Sequence, residues 1–211
     1  MDNYEKSRDR AQQFFLRFDQ DSLVHKWKLR QDEKNLYVVF FRREYAICRT
    51  TGAVTRTEDG SAAGFEEALS IFDLLCHEGA GRLSGRLAPV NSLKGSPKMG
   101  GVGTDFYATQ AVRFDREPQL FRKACLALGG QEIPAGDVGF RFSVFRNLCV
   151  TLKFYHGDED FPPSVTLLWD ENMLSFVYYE TVFYIGGFLL KQLHEKMDQL
   201  KSKHKEFPKW F

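Results

Sequence analysis

The sequence predicts an α+β fold, in which a mostly antiparallel sheet packs against several helices and the C-terminal helix is long. Two periodicities carry this prediction. Apolar residues that alternate with polar ones are typical of half-buried strands, and apolar residues repeated every three or four positions are typical of amphipathic helices. With 43% hydrophobic residues and 20 Phe in 211 residues, the chain can form a core without cross-links. We therefore expect a single α+β domain over residues 1–211.

The first half of the chain alternates between helical and strand patterns. Phe14, Phe15 and Phe18 fall on one side of a helix, whereas LYVVFF is rich in the β-branched and aromatic residues that favour strands. Helices are predicted at Tyr4–Phe18, at Ser22–Trp27 (or a turn there) and at Phe65–His77, and strands at Leu36–Phe41, Glu44–Arg49 and Ala53–Thr57.

The second half predicts a meander followed by the long helix. Arg146-Asn147 fits a two-residue hairpin turn, so the strands around it should be antiparallel. Strands are predicted at Val138–Phe145, Leu148–Tyr155 and Ser164–Trp169, helices at Glu117–Leu128 and Glu180–Lys203, and loops at Leu83–Gly103 and Gln131–Gly136. Asp105–Arg116 fits either a short helix or an extended segment.

Charge and hydropathy narrow the classes of partner. The 29 Lys and Arg residues and 28 Asp and Glu residues leave a formal net charge of +1, which argues against binding nucleic acid or an anionic membrane. The apolar run Met173–Leu190 contains Glu180, which favours a buried core segment over a membrane span. The polar start, MDNYEKSRDRAQQ, does not have the pattern of a secretory signal peptide.

The cysteines indicate a reducing compartment. They are Cys48, Cys76, Cys125 and Cys149, and each lies in an apolar run far from the next. Because they form no CxxC pair and no cluster with histidine, we predict no zinc or iron–sulfur metal site built on them and interpret them as small buried hydrophobic residues. Reduced thiols and the polar start together predict a cytoplasmic protein.

An acidic turn, Gly157–Asp160, is the first candidate for chemistry. The predicted ligand-binding residues are His156, Asp158, Glu159, Asp170 and Glu180. Carboxylates in this pattern could hold a cation or act as an acid–base pair, but Gly and Asp also favour a solvated turn for backbone reasons. Asp158 and Asp170 should lie at opposite ends of one strand, so they need not meet.

The glycine-rich loop Gly95–Gly103 is the second candidate. A phosphate cradle needs a strand before it and a helix after it, with a GxGxxG or Walker ending. GSPKMGGVG has neither ending, so a flexible loop or lid is favoured over a phosphate site. The sequence also has no GxSxG elbow and no local Cys–His pattern of a nucleophilic enzyme.

The segment GDEDFPPSVTLLWDENMLSFVYYETVFYIGGFLLKQL resembles the domain of unknown function 3786 family, which is typical of anaerobic bacteria. The positions that carry the resemblance are Gly157, Asp158, Glu159, Asp160, Phe161, Pro162 and Asp170. The family has no established activity. Some relatives carry an iron–sulfur segment like that of corrinoid iron–sulfur proteins, which implies a role near one-carbon or corrinoid metabolism. This chain has no cysteine cluster to hold such a group, and Tyr179-Glu180-Thr181 stands where the family has an acidic pair.

Taken together, these patterns predict a cytoplasmic accessory module that binds a small molecule or a protein partner, with no cofactor indicated. The alternative is a metal-assisted enzyme that uses the acidic cluster around Asp158. Acids that converge in a concave site would favour the enzyme. If Asp158 and Glu159 point into solvent while Phe161-Pro162 fills the core, the turn is structural.

Overall fold

The computed structural model describes residues 3–79, 81–97 and 107–206. Within them the chain forms six α-helices and two antiparallel sheets. The helices are α1 (Asn3–Arg17), α2 (Gln20–Trp27), α3 (Phe65–Cys76), α4 (Ala108–Arg116), α5 (Pro118–Ala127) and α6 (Tyr179–Glu206). The strands are β1 (Arg30–Gln31), β2 (Asn35–Phe40), β3 (Arg43–Cys48), β4 (Val54–Arg56), β5 (Leu87–Pro89), β6 (Gln131–Glu132), β7 (Val138–Phe145), β8 (Leu148–Tyr155) and β9 (Ser164–Asp170). The predicted α+β class, antiparallel sheets and long C-terminal helix are confirmed.

The chain divides into two compact units whose segments interleave along the sequence. The first unit comprises Met1–Leu83, Ser143–Leu148 and Asn172–Ile185. The second unit comprises Ser84–Phe142, Cys149–Glu171 and Gly186–Phe211. The beginning of α6 therefore belongs to the first unit and its remainder to the second. A single domain over the whole chain stays a prediction.

The sheet of the first unit has the strand order β1-β2-β3-β4. β2 and β3 pair from Asn35↔Cys48 to Phe40↔Arg43, which leaves Phe41 and Arg42 as a two-residue loop. Their φ angles are 46° and 63°. Two consecutive positive φ values are typical of the type I′ turn, whose twist matches that of the flanking strands.

The helices of the first unit are fixed by caps and ring contacts. α1 packs against α3, where the rings of Phe15 and Phe72 lie 5.3 Å apart. The carboxylate of Asp19 accepts hydrogen bonds from backbone N–H groups in the first turn of α2. At the other end of α2 the guanidinium of Arg146 donates to the carbonyls of Trp27 and Lys28, where unpaired carbonyls favour a cation.

A buried carboxylate, Glu67, joins α3 to the sheet of the first unit. The residue is 2% exposed. Tyr45 Oη donates to Glu67 Oε1 at 2.6 Å, and Arg56 Nε donates to the same oxygen at 3.0 Å. The backbone N–H of Gly64 donates to Glu67 Oε2 at 2.6 Å. The charge is therefore paired and hydrogen-bonded, as a buried charge must be.

The second sheet has the order β5-β9-β8-β7-β6, and apart from residues 143–145 and Leu148 its residues belong to the second unit. β8 and β9 pair from Val150↔Trp169 to Tyr155↔Ser164, so β9 continues the meander that begins with β7 and β8. In β8 the buried residues Val150, Leu152 and Phe154 alternate with more exposed or polar ones. The predicted meander and its Arg146-Asn147 turn are confirmed.

The helices of the second unit carry an aromatic stack. The rings of Phe114 on α4 and Phe121 on α5 are stacked with centroids 4.2 Å apart. His194, on the later part of α6, stacks on Phe114 at 4.9 Å, and its Nε2 contacts Gln110 Oε1. The same part of α6 buries Leu189, Leu193 and Met197, which repeat at helical spacing.

The predicted elements match the observed ones except for the shortest strands. β5 lies inside the predicted loop Leu83–Gly103, and β6 lies inside the predicted loop Gln131–Gly136, so both loop predictions are partly wrong. Asp105–Arg116 is helical from Ala108, and Ser22–Trp27 lies in α2. Residues 98–103 of the glycine-rich loop lie outside the described residues, so its prediction as a lid is untested.

Two other sequence predictions concern the burial of the four cysteines and the apolar run Met173–Leu190. Cys76 and Cys125 are buried as predicted, whereas Cys48 and Cys149 are partly exposed. Among the helices of the described ranges, none combines the length and the apolar character needed to cross a bilayer.

Candidate functional site

His156 follows the end of β8 and is held by two aspartates. Its backbone N–H donates to Asp137 Oδ2 at 2.8 Å, and its ring Nδ1 lies 2.7 Å from Asp115 Oδ1. The ring also meets the ring of Phe154 edge to face, with centroids 5.1 Å apart. Because Nδ1 is engaged by Asp115, the orientation of the imidazole is fixed and Nε2 is the atom left to meet a ligand.

The acidic turn is stabilised by its own first aspartate. Asp158 Oδ1 accepts hydrogen bonds from the backbone N–H groups of Asp160 and Phe161, at 2.9 and 2.7 Å. Asp158, Glu159 and Asp160 are exposed, and Phe161 is 70% exposed. Phe161 therefore does not fill the core, as the structural interpretation of this turn would require.

His156 and Asp158 line one open pocket beside the acidic turn. Its volume is about 520 Å³. The other residues that line it are Asp137, Tyr155, Phe161, Pro162 and Ser164. The structure thus brings two of the predicted site residues together, on a surface whose side chains are mostly in water.

Asp170 lies at the other end of β9, where it binds a loop. It is 9% exposed and accepts hydrogen bonds from the backbone N–H groups of Ser84 at 3.1 Å and Gly85 at 2.8 Å. Its neighbour Glu171 pairs with Arg86 and Lys94, which lower the pKa of that carboxyl. This end of β9 is therefore a structural attachment for the residues before β5.

Glu180 belongs to the first unit, where it lines a different pocket. We call this the helix-lined pocket, because α1, α3 and the residues around the start of α6 form its walls. Its volume is about 420 Å³. Its lining residues are Ser7, Arg10, Ala11, Phe14, Leu69, Phe72, Asp73, Cys76, Tyr178, Glu180, Thr181 and Tyr184. Four of them are aromatic, and they come from all three walls.

Asp73 is the buried polar group of the helix-lined pocket. It is 9% exposed. Its Oδ2 accepts a hydrogen bond from the backbone N–H of Tyr178 at 3.0 Å, and the hydroxyl of Thr181 also bonds to its carboxylate. Burial raises the pKa of Asp73, against the opposing effect of these hydrogen bonds.

The sequence prediction included Glu180 but missed Asp73 and the aromatic walls. The local signal for Asp73 was present, since it is a lone acid within the apolar run IFDLLC of α3. An acid inside a buried run must find hydrogen-bond donors, so such a residue marks a site to inspect. The pocket itself could not be predicted, because its walls come from segments far apart in sequence.

A family model described as Domain of unknown function (DUF3786) matches residues 19–192. The chain belongs to the DUF3786 family. No curated protein and no solved structure matches it. The matched span includes the acidic turn and the α3 and α6 walls of the helix-lined pocket. It begins after α1, which supplies the third wall of that pocket.

In this DUF3786 protein the acids do not assemble as metal ligands in the part of the chain that the structure describes. There, no group of three or more His, Cys, Asp or Glu side chains is arranged to hold a metal ion. Asp170 ends β9 whereas Asp158 lies in the turn before that strand begins, so the two acids are on opposite sides of it, as the sequence predicts, and Glu180 lies in the other unit. The alternative of a metal-assisted enzyme stays a prediction.

Proposed function

We propose that this DUF3786 protein is a cytoplasmic accessory module that binds a small molecule in the helix-lined pocket. The observation that carries the proposal is a pocket of about 420 Å³ with aromatic walls and a buried carboxylate. Pockets of this size, mostly apolar and with a few convergent polar groups, are typical of small-molecule sites. A role near one-carbon or corrinoid metabolism follows from the family resemblance alone and belongs to the same proposal.

The helix-lined pocket is favoured over the pocket beside the acidic turn because more of its lining is apolar. Two of its rings, Phe14 and Tyr178, are 49% and 58% exposed, so they have surface that a ligand can cover. Covering that surface removes it from water, which is the main favourable term in binding. In the pocket beside the acidic turn, the polar groups stay hydrated and offer less of this driving force.

A thermal-shift screen tests the proposal. The purified protein is scanned with nucleotides, folates, corrinoids, amines and divalent ions. A compound that binds only the folded state must raise the unfolding midpoint, with about 2.7 kcal/mol of stabilisation at a hundredfold excess over its Kd. We expect at least one class of organic compound to raise the midpoint in a concentration-dependent way.

Two matched variants test whether a compound that raises the midpoint binds in the helix-lined pocket. Ala11→Phe places a ring inside the helix-lined pocket, and Val112→Phe places the same ring on an exposed position of α4 in the second unit. Binding should be lost in Ala11→Phe and kept in Val112→Phe. A flat screen, or hits that survive Ala11→Phe, would contradict the proposed function.

A second candidate function, docking to a protein partner, is favoured by the exposure of Phe161. This ring is 70% exposed on a turn that hydrogen bonds already hold, and Tyr155, which lines the same pocket, is 42% exposed. Exposed aromatic residues on preorganised turns are typical anchors of interfaces. The acids Asp158, Glu159 and Asp160 around Phe161 would favour a basic partner surface.

Site-specific photo-crosslinking tests the docking function. A photoreactive phenylalanine analogue at position 161 should give one discrete crosslinked product in the producing cell. The same analogue at Leu126, an exposed apolar position on α5 that is 52% exposed, is the matched control. Equal, heterogeneous crosslinking from both positions would exclude a specific docking site at Phe161.

A further inference from the structure

We infer that the ligand of the helix-lined pocket is an organic cation, whose ammonium group pairs with Asp73 and whose carbon skeleton lies against the aromatic walls. The inference rests on the proposed function and adds the chemical class of the ligand. Three features of the pocket support it: a buried acid whose hydrogen-bond donors are neutral, several aromatic faces, and an excess of negative over positive side chains.

The buried acid is the first feature. Asp73 is 9% exposed, and the donors that reach its carboxylate are the backbone N–H of Tyr178 and the hydroxyl of Thr181. Both donors are neutral, so they hydrogen-bond the carboxylate without cancelling its charge. A buried carboxylate is stabilised most by a cation within contact distance. A ligand ammonium would supply that cation.

The aromatic walls are the second feature. Phe14, Phe72, Tyr178 and Tyr184 all line the pocket that Asp73 lines. Phe14 is 49% exposed and Tyr178 is 58% exposed, so their rings form the rim, whereas Phe72 is 2% exposed and lies at the base. The faces of Phe and Tyr attract ammonium groups through the ring quadrupole, and aromatic cages with a nearby acid recognise alkylated amines in this way.

Charge is the third feature, and it discriminates against the other ligand classes. Asp73 and Glu180 contribute two negative charges to the lining, and Arg10 contributes one positive charge from an exposed position on α1. An anionic ligand in this pocket would meet two carboxylates and one guanidinium. A neutral ligand would cover Asp73 without offsetting its charge, which is unfavourable in a low dielectric.

If the ligand is a cation that pairs with Asp73, its affinity should depend on pH in a way that apolar packing alone would not cause. Burial raises the pKa of Asp73, and Glu180 raises it further, whereas His77 lowers it. An ammonium group beside Asp73 would favour its ionised form. Binding of a permanently charged amine should therefore strengthen as pH rises through the pKa of Asp73, and near that pKa it should release protons.

The test measures binding of matched pairs of probes by isothermal titration calorimetry. Each alkyl or aralkyl amine, from methylated ammonium ions to phenethylamine, is compared with the neutral alcohol of the same skeleton. We expect the best amine to bind at least about tenfold more tightly than its alcohol. We expect Asp73→Asn to remove most of this preference and to leave the affinity for the alcohol unchanged.

Further variants separate charge from packing. Tyr178→Phe keeps an aromatic face at the rim and should retain amine binding, whereas Tyr178→Leu should weaken it about three- to tenfold. Equal binding of amine and alcohol, or amine binding that Asp73→Asn leaves unchanged, would overturn the cation inference while leaving a small-molecule pocket. Failure of every compound in both this panel and the broader screen would overturn the proposed function as well.

Discussion

The backbone N–H of Tyr178 donates a hydrogen bond to Asp73 Oδ2 at 3.0 Å, immediately before α6 begins. The carboxylate therefore lies at the N-terminus of a long helix, where the helix dipole and unpaired N–H groups favour negative charge. Burial acts in the opposite direction, and it is the stronger effect, because the pKa of Asp73 is raised. Asp73 thus caps the N-terminus of α6 and is also the buried acid of the helix-lined pocket.

The raised pKa of Asp73 predicts how stability changes with pH. The folded state binds this proton more tightly than the unfolded state, so the stabilisation is complete below the unfolded pKa and is lost as pH rises through the folded pKa. Relative to Asp73→Asn, the free energy of unfolding of the wild type should fall above pH about 4 and then level off. Urea unfolding of both proteins at stepped pH measures this. A difference that is constant or rises with pH would contradict the prediction.

The buried pair of Arg56 and Glu67 predicts a strong coupling between two substitutions. Arg56→Met leaves the Glu67 carboxylate, 2% exposed, with Tyr45 and Gly64 as neutral donors. We expect a loss of about 2–4 kcal/mol of unfolding free energy, of which Arg56→Met/Glu67→Leu should restore at least about half. Urea unfolding of the two single variants and the double variant measures the coupling.

A surface ion pair provides the control for that cycle. Arg30 Nη2 lies 2.7 Å from Glu44 Oε2, and the two side chains are 57% and 37% exposed. Arg30→Met should lower the unfolding free energy by less than about 1 kcal/mol, because water screens an exposed pair. If Arg56→Met lowered the unfolding free energy as little as Arg30→Met, the ion pair with Arg56 would not be needed to stabilise the buried carboxylate of Glu67.

The cysteines should differ in reactivity. Hydrogen bonds from Thr50 and Thr51 lower the pKa of Cys48 to about 7, whereas burial raises the pKa of Cys76 to about 12. Because the thiolate is the nucleophile, iodoacetamide at neutral pH should modify Cys48 well before Cys76. Peptide mapping by mass spectrometry follows both sites, and the pH profile of the Cys48 rate should have its midpoint near 7.

Thr50→Val with Thr51→Val is the matched variant for the cysteine prediction. Removing both hydroxyls should shift the midpoint of the Cys48 profile to higher pH, towards the ordinary thiol value of about 8.5. If the wild-type midpoint already lay there, the two threonines would not stabilise the thiolate.

Much of the fold could be predicted because its signals are local. β7, β8 and their Arg146-Asn147 turn follow from alternation within a short stretch of sequence. β1, β5 and β6 were missed because each has only two or three residues. Strands so short form through pairing with a longer neighbour, as Gln131 and Glu132 pair with β7, and leave little periodicity of their own.

The candidate site residues were likewise predicted where they are close in sequence and missed where they are far apart. The acidic turn was predicted because its acids are consecutive, and Asp158 does organise that turn. The helix-lined pocket was not predicted, since it needs the convergence of Arg10, Asp73 and Glu180 from three helices. The lone acid in IFDLLC was the only sequence signal for this pocket. Predictions of sites from one sequence favour clusters along the chain over clusters in space.

The lowered pKa of His194 predicts a second effect of pH on stability, opposite in sign to that of Asp73. Burial lowers its pKa and Arg113 lowers it further, whereas Asp198 raises it. Nε2 faces the carbonyl oxygen of Gln110 and therefore carries the proton of the neutral ring. Nδ1 is buried and, in the described part of the chain, has no hydrogen-bond partner. Protonation would place an unpaired N–H and a charge in this buried position.

The stabilisation due to neutral His194 is complete above the unfolded pKa of about 6.5 and is lost as pH falls through the lowered folded pKa. We expect the unfolding free energy of the wild type to fall below pH about 6.5 relative to His194→Phe, which keeps a ring stacked on Phe114. Urea unfolding between pH 8 and 5 measures the difference, and NMR titration of the His194 ring measures its pKa. A ring that titrates above the ordinary histidine value would contradict the prediction, because burial without a partner for Nδ1 would then not disfavour the charged form.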